Sequence, residues 1–176
     1  MHISDKINMS AEELIANGPI TIVAFGDSVT HGCFEVFINE AGKVDTACEA
    51  GSAYPALVAH ELGRMFPFAQ PAVINAGVSG DNAAGGHSRL ARDVLFARPD
   101  LVFVNFGLND SMNPDVEDGL RRYREAMKGI FEDVRSSRAK FALAAEYGLR
   151  GFGYWNFMRP FTANFSLANA ALRLPD

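Results

Sequence analysis

The chain has 176 residues, of which 48% are hydrophobic and 21% charged, so its length and composition suit one globular domain. Its net charge of −5 excludes the basic footprint of a nucleic-acid-binding protein. The N-terminus lacks the cationic start and apolar core of a signal peptide, and no run reaches the roughly 18 apolar residues of a membrane span. A cytoplasmic protein is therefore expected.

In chain order, short apolar runs alternate with segments of helical periodicity. The predicted strands are Ile20–Phe25, Ala72–Asn75, Leu101–Phe106 and Phe141–Ala145, and the predicted helices are Ser52–Met65, His87–Ala97 and Val116–Ser136. Strands that are apolar throughout and separated by helices favour a mostly parallel sheet covered on both faces. We therefore expect a doubly wound α/β fold that forms one domain over residues 1–176.

Polar, glycine-containing loops follow the first three predicted strands. They read GDS at residues 26–28, NAGVSGDN at 75–82 and GLND at 107–110. Because parallel strands end at the same edge of a sheet, these loops are expected to converge, and ligands of such folds bind at this edge.

Ser28 has two interpretations at the end of the first strand. The G-x-S-x-G nucleophile elbow is absent, because Thr30 stands where its second glycine would be. Gly26 still permits a tight turn from strand to helix, which would place Ser28 at a helix N-terminus that favours developing negative charge. Ser28 is thus either a nucleophile or the N-cap of the following helix.

The other two loops contain groups that suit an oxyanion. Gly80 lets the backbone approach a ligand closely, and Asn109 offers a neutral amide donor; the alternatives are a turn glycine and an Asx turn. Asp27, Asp81 and Asp110 are interpreted as supporting carboxylates that hold the loops through hydrogen bonds to the backbone.

The motifs GDSVT, SGD and GLND, in this order after successive strands, resemble the SGNH/GDSL hydrolases, a family of esterases, lipases and carbohydrate deacetylases. The resemblance is strongest over residues 20–140. It implies a flavodoxin-like three-layer α/β/α fold, Ser28 as the nucleophile, and an oxyanion hole formed by Ser28, Gly80 and Asn109. It also implies a small acyl ester as substrate, such as an O-acetylated carbohydrate, and no metal or other cofactor.

The family's D-x-x-H block, which supplies the base and its orienting acid, has no counterpart near the C-terminus of this chain. The histidines are His2, His31, His60 and His87. His31 is too close to Ser28 along the same helix to accept its proton across a pocket. His87 follows the Gly80 loop and opens a helix, and a surface or helix-end histidine is the better interpretation of both. The base is therefore unknown, and the alternative is a catalytically incomplete binding module of the same fold. A flavodoxin-like nucleotide binder is disfavoured, because Asp27 would repel a phosphate.

The end of the chain differs in composition from the rest. Residues 147–165 hold seven aromatic side chains, namely Tyr147, Phe152, Tyr154, Trp155, Phe157, Phe161 and Phe165. Residues 147–176 are predicted to be divergent, truncated or frame-shifted, or else to place these aromatics in the core or between two subunits of a homo-oligomer. Upstream, the Cys33–Gly51 insert is placed to shape or cover the pocket, and the spacing of Cys33 and Cys48 matches no metal or redox motif.

Overall fold

The structure is a computed structural model that describes residues 3–69 and 71–137. Within these ranges the helices are α1 (Ile3–Lys6), α2 (Ala11–Asn17), α3 (Ser28–His31), α4 (Tyr54–Met65), α5 (Ala83–Asp93) and α6 (Val116–Ser136). The strands are β1 (Thr21–Gly26), β2 (Cys33–Ile38), β3 (Val44–Cys48), β4 (Ala72–Gly77) and β5 (Leu101–Asn105). The predicted strand Phe141–Ala145 and the aromatic segment at 147–165 lie outside the described residues.

The main sheet has the strand order β4–β1–β5, and both pairings are parallel. β1 is central, with Ile22 opposite Val73 on one side and Leu101 on the other. Burial on both faces explains why β1 is apolar at every position from Ile22 to Phe25. The order matches the first three strands of a flavodoxin-like sheet. The predicted α/β class with a parallel sheet is confirmed.

One face of the sheet packs against α5 and α6 to form the hydrophobic core. Phe25 and Phe106 meet edge to face, with ring centroids 5.1 Å apart. Their partners are apolar side chains at helical spacing on α5 and α6, together with the neighbouring strands: Val23, Ala83, Leu90, Val94, Val102, Ala126, Met127, Ile130 and Val134. The apolar residues of α6 recur on one face of the helix, which explains why the boundaries Val116–Ser136 were predictable from the sequence.

Two predicted helices differ from the observed ones. The helix predicted over His87–Ala97 begins four residues earlier, at Ala83, because Asn82 caps it by accepting a hydrogen bond from the Gly85 N–H. It ends at Asp93, and a short 3-10 turn follows over Leu95–Ala97. The helix predicted over Ser52–Met65 begins two residues later, at Tyr54, after a short 3-10 turn over Ala50–Ser52.

The Cys33–Gly51 insert contains an antiparallel hairpin formed by β2 and β3. Asn39 closes its turn by accepting hydrogen bonds from the N–H groups of Ala41 and Lys43. The hairpin exposes several large apolar side chains: Phe34, Val36, Phe37, Ile38 and Val44. None of the helices within residues 3–69 and 71–137 combines the length and hydropathy needed to span a membrane.

Candidate active site

Ser28 is the first residue of α3, and only Asp27 separates it from the end of β1. The helix is capped by Asp27, whose Oδ1 accepts a hydrogen bond of 3.0 Å from the Val29 N–H. The interpretation of Ser28 as the N-cap is therefore wrong, because the preceding residue fills that position. The Ser28 side chain is partly exposed, and its hydroxyl is not needed to cap the helix.

α3 lies directly over the ends of the strands because two glycines leave room for it. A Cβ at Gly77 would lie 2.6 Å from the backbone carbonyl carbon of Thr30. A Cβ at Gly26 would lie 2.5 Å from the Asn105 carbonyl oxygen and would also overlap the Thr30 hydroxyl. Neither overlap can be relieved by a flexible side chain alone, so these glycines set the height of Ser28 above the sheet.

Gly80 lies in the loop between β4 and α5. Its φ of +79° is in the left-handed region, which favours glycine, and it is exposed at the surface. The start of this loop is fixed to β1, since the Val78 N–H donates to the Gly26 carbonyl oxygen at 3.0 Å. The Asp81 N–H in turn donates to the Val78 carbonyl oxygen at 3.2 Å, which closes a tight turn around Gly80.

The loop after β5 is joined to the Gly80 loop by two neighbouring residues. Asn109 donates through Nδ2 to the Asp81 carbonyl oxygen at 2.6 Å. Asp110 accepts the Ala83 N–H with both carboxylate oxygens, at 3.1 and 3.2 Å. An amide has two N–H groups, so the bond to Asp81 leaves Asn109 a second donor. The structure thus brings together the loops that contain Gly80 and Asn109.

The supporting carboxylates are close enough to influence one another. Burial raises the pKa of Asp27, and the negative charges of Asp110 and Asp81 raise it further, against the hydrogen bond from the Val29 N–H. Burial is also the main reason that the pKa of Asp110 is raised, with a smaller contribution from Asp81. The edge of the sheet therefore holds a group of partly desolvated acids beside Ser28.

Arg89 is a site residue that the sequence did not reveal. Its guanidinium is almost fully buried and donates to Asp81 at 2.7 Å, to the Ala76 carbonyl oxygen at 2.8 Å and to the Gly26 carbonyl oxygen at 2.9 Å. It also lies over the Phe25 ring, 4.6 Å from the centroid. Arg89 thus connects the ends of β1 and β4 to the Gly80 loop. An arginine in a helix ordinarily indicates an exposed face, so no sequence signal pointed to this role.

Two of the three histidines in the described residues, His31 and His87, have hydrogen bonds to groups other than Ser28. His31 accepts the Ser79 N–H through Nδ1 at 3.2 Å, so this nitrogen carries no proton and is not free to act as a base. His87 packs over Gly129 and pairs through Nε2 with Asp133 at 3.0 Å. His60 is exposed on α4.

Within residues 3–69 and 71–137, no group of three or more His, Cys, Asp or Glu side chains is arranged to hold a metal ion. What this part of the chain assembles is a serine at the start of a helix, an exposed glycine turn and a side-chain amide, all at the carboxyl edge of a parallel sheet. This set of groups suits nucleophilic attack on a carbonyl and stabilisation of the resulting oxyanion.

Comparison with known proteins gives a family match over most of the chain. Residues 24–173 match the model of the GDSL-like lipase/acylhydrolase family. No curated protein sequence gives a significant match.

Several solved structures are similar to this chain. The SGNH-hydrolase family esterase AlinE4 is 29% identical with a TM-score of 0.50, over 69% of this chain and 56% of that one. A lipase/acylhydrolase from Enterococcus faecalis is 30% identical with a TM-score of 0.50, over 68% of this chain and 54% of that one. The acetyl xylan esterase AlAXEase, at 22% identity and a TM-score of 0.51 over 69% and 55%, shares the fold. The match spans just over half the length of each of these structures.

Proposed function

Because this chain belongs to the GDSL-like lipase/acylhydrolase family, we propose that it is a serine ester hydrolase that acts on small acyl esters through Ser28. The observation that carries the proposal is the position of Ser28. It stands at the first turn of α3, free of the capping role, at the sheet edge where the Gly80 and Asn109 loops are joined.

In the proposed reaction the Ser28 hydroxyl oxygen attacks the acyl carbonyl carbon, and the carbonyl oxygen becomes an oxyanion. The Ser28 and Gly80 N–H groups and the second N–H of Asn109 are its proposed donors. The first N–H groups of a helix have no partner within the helix, so the Ser28 N–H suits this task. One such donor typically lowers the barrier by about 2.7–4 kcal/mol. The alcohol leaves, and water then hydrolyses the acyl-enzyme.

The serine mechanism needs a base to accept the Ser28 proton. The hydrogen bonds of His31 and His87 favour a second candidate function, a binding module that retains the oxyanion groups without efficient turnover. Loss of one triad member lowers activity by orders of magnitude, although an oxyanion hole alone retains about 10³–10⁴-fold catalysis over water. The two functions therefore differ in turnover rather than in ligand class.

The proposed substrate class is a short acyl ester, with an O-acetylated carbohydrate as the finer hypothesis from the family resemblance. We also propose that residues 1–176 form one domain of this family, with residues 147–176 divergent from its usual pattern.

Hydrolysis of p-nitrophenyl acetate by the full chain tests the proposal. We expect Ser28→Ala to lower the rate by about 10³-fold or more, because the acyl-enzyme can no longer form. Ser88→Ala is the matched control. Its exposed hydroxyl donates to the Gly85 carbonyl oxygen on α5, so its loss leaves the rate unchanged. Acetylated xylan in place of the model ester tests the carbohydrate hypothesis.

A fluorophosphonate probe separates the two candidate functions. A hydrolase forms a covalent adduct at Ser28, which peptide mass spectrometry locates and which Ser28→Ala abolishes. A binding module retains the ester without turnover and without an adduct. Equal hydrolysis by wild type and Ser28→Ala would exclude Ser28 as the nucleophile.

A further inference from the structure

The hairpin places Cys33 and Cys48 directly opposite each other on β2 and β3. On one side of this pair, the Glu49 N–H donates to the Gly32 carbonyl oxygen at 2.9 Å. Gly32 and Glu49 are therefore a hydrogen-bonded pair of the antiparallel ladder. Because hydrogen-bonded and non-hydrogen-bonded pairs alternate along such a ladder, the next pair, Cys33 and Cys48, is a non-hydrogen-bonded pair. In such pairs the Cα atoms are about 4.5 Å apart, which lies within the roughly 4.4–6.8 Å range found in disulfides.

An irregularity in the hairpin creates this pairing. From Ile38 back to Glu35 the register is regular, and continuing it would place Phe34, not Cys33, opposite Cys48. The register shifts between Cys33 and Glu35, so Phe34 is an extra residue and Cys33 takes the place opposite Cys48.

Both cysteines are free thiols and both are partly exposed. The Cys33 thiol donates to the Glu35 carbonyl oxygen at 3.5 Å, and the Cys48 thiol donates to the Thr46 hydroxyl at 3.9 Å. Burial, and next the neighbouring thiol, raises the pKa of Cys33. Forming a disulfide would break these two hydrogen bonds, and since both cysteines are partly exposed, water can take the place of the thiol donors.

We propose that Cys33 and Cys48 form a reversible cross-strand disulfide by exchange with a small disulfide such as oxidised glutathione. One cysteine thiolate attacks a sulfur of glutathione disulfide and displaces one glutathione thiolate, which leaves a mixed disulfide. The second cysteine thiolate then attacks the protein sulfur and displaces the other glutathione. The protein loses two protons and two electrons, and glutathione disulfide is reduced to two thiols.

The bridge would fix the base of the hairpin beside the candidate active site. Cys33 directly follows Gly32, which ends α3, so the bridge lies close along the chain to Ser28. On the opposite strand, the Thr46 hydroxyl donates to the Ser79 hydroxyl at 3.0 Å, next to Gly80. The hairpin base therefore touches both the Ser28 helix and the Gly80 loop.

The test is incubation of the folded full chain with oxidised glutathione, followed by alkylation, intact mass measurement and a non-reducing peptide map. Wild type is expected to lose two hydrogens and to yield one linked peptide pair containing Cys33 and Cys48, both reversed by dithiothreitol. Cys48→Ser should instead keep one glutathione on Cys33, and Cys33→Ser one on Cys48. These single variants are matched to each other, because each removes only the resolving thiol.

Two glutathione adducts on folded wild type, a bridge between two chains, or no reaction while unfolded wild type reacts fully would each overturn the proposal. A second readout is thermal unfolding by circular dichroism. The oxidised wild type should melt several degrees above its reduced form, because the bridge restricts the unfolded chain, whereas Cys48→Ser should show no such shift. An unchanged or lower Tm would contradict a bridge that fits the native hairpin.

Discussion

At the residue scale, Asp27 both caps α3 and occupies a buried position among other acids. Burial raises its pKa above the ordinary value of 3.8. The native state therefore binds this proton more tightly than the unfolded state does. The contribution of Asp27 to the free energy of unfolding consequently falls as the pH rises from 3.8 through the folded pKa of this carboxyl.

Two substitutions of Asp27 separate the cost of its buried charge from the stabilisation that its cap provides. Asp27→Asn keeps an oxygen that accepts the Val29 N–H and removes the buried charge, so its free energy of unfolding at neutral pH should equal or exceed that of wild type. Asp27→Ala loses the cap and should be less stable by about 0.5–2 kcal/mol. Urea unfolding followed by circular dichroism measures both.

The pH dependence provides the control for the Asp27 prediction. Any excess in the free energy of unfolding of Asp27→Asn over wild type should shrink as the pH is lowered towards 3.8. The wild-type carboxyl then takes up a proton and becomes neutral, like the asparagine side chain. An Asn variant as unstable as the Ala variant at neutral pH would show that the cap requires a charge.

At the element scale, α3 is only four residues long, and its position depends on its fit against the strand ends. Helices this short are not stable alone, so their geometry comes from tertiary packing. Gly77 is the point of closest approach, where any Cβ would meet the backbone of Thr30 and His31.

We therefore predict that Gly77→Ala destabilises the protein by about 1–3 kcal/mol and lowers ester hydrolysis, because α3 and Ser28 must move. Gly63→Ala is the matched control. Gly63 lies inside α4 with open space around its Cβ position, so the alanine should stabilise by about 0.5–1 kcal/mol. Thermal unfolding and the p-nitrophenyl acetate assay measure the two effects. If both variants behaved alike, close packing of α3 at Gly77 would be refuted.

At the scale of the whole molecule, a nearly buried ion pair joins the N-terminal segment to the opposite end of the sheet from the candidate site. The Lys6 ammonium on α1 lies 2.8 Å from Asp100 and also donates to the Pro19 carbonyl oxygen at 3.3 Å. Asp100 accepts the Thr21 N–H as well, at 3.0 Å, so one carboxylate contacts α1 and the start of β1.

Removal of this ammonium should affect global stability more than removal of an exposed partner does. Lys6→Met leaves the Asp100 carboxylate without its cation and should lower the free energy of unfolding by about 1.5–3 kcal/mol. Arg64→Met breaks the exposed pair with Glu61 and should cost about 0–1 kcal/mol. Chemical unfolding of both variants measures the difference, and a cost for Lys6→Met no larger than for Arg64→Met would contradict it.

The sequence by itself determined the parallel α/β class, the boundaries of α6, and which polar loops follow the strands that form the sheet. These features depend on hydrophobic periodicity and on turn residues, which are local properties of a chain. The motifs around Ser28, Gly80 and Asn109 were also readable, because each directly follows an apolar strand in the sequence. Residues 138–176 lie outside what the structure describes, so predictions for them stay predictions.

Only the tertiary structure decided how distant residues meet. It gave the cap of α3 to Asp27, engaged the Nδ1 atom of His31 with Ser79, and buried Arg89 between two strand ends. It also brought Cys33 opposite Cys48 through one extra residue in a hairpin. The His31, Arg89 and cysteine contacts share one physical reason. Each depends on register and close packing between separate segments of the chain, where a shift of one residue changes every partner. The Asp27 cap is local, two residues from Val29, but a helix as short as α3 has its start set by tertiary packing.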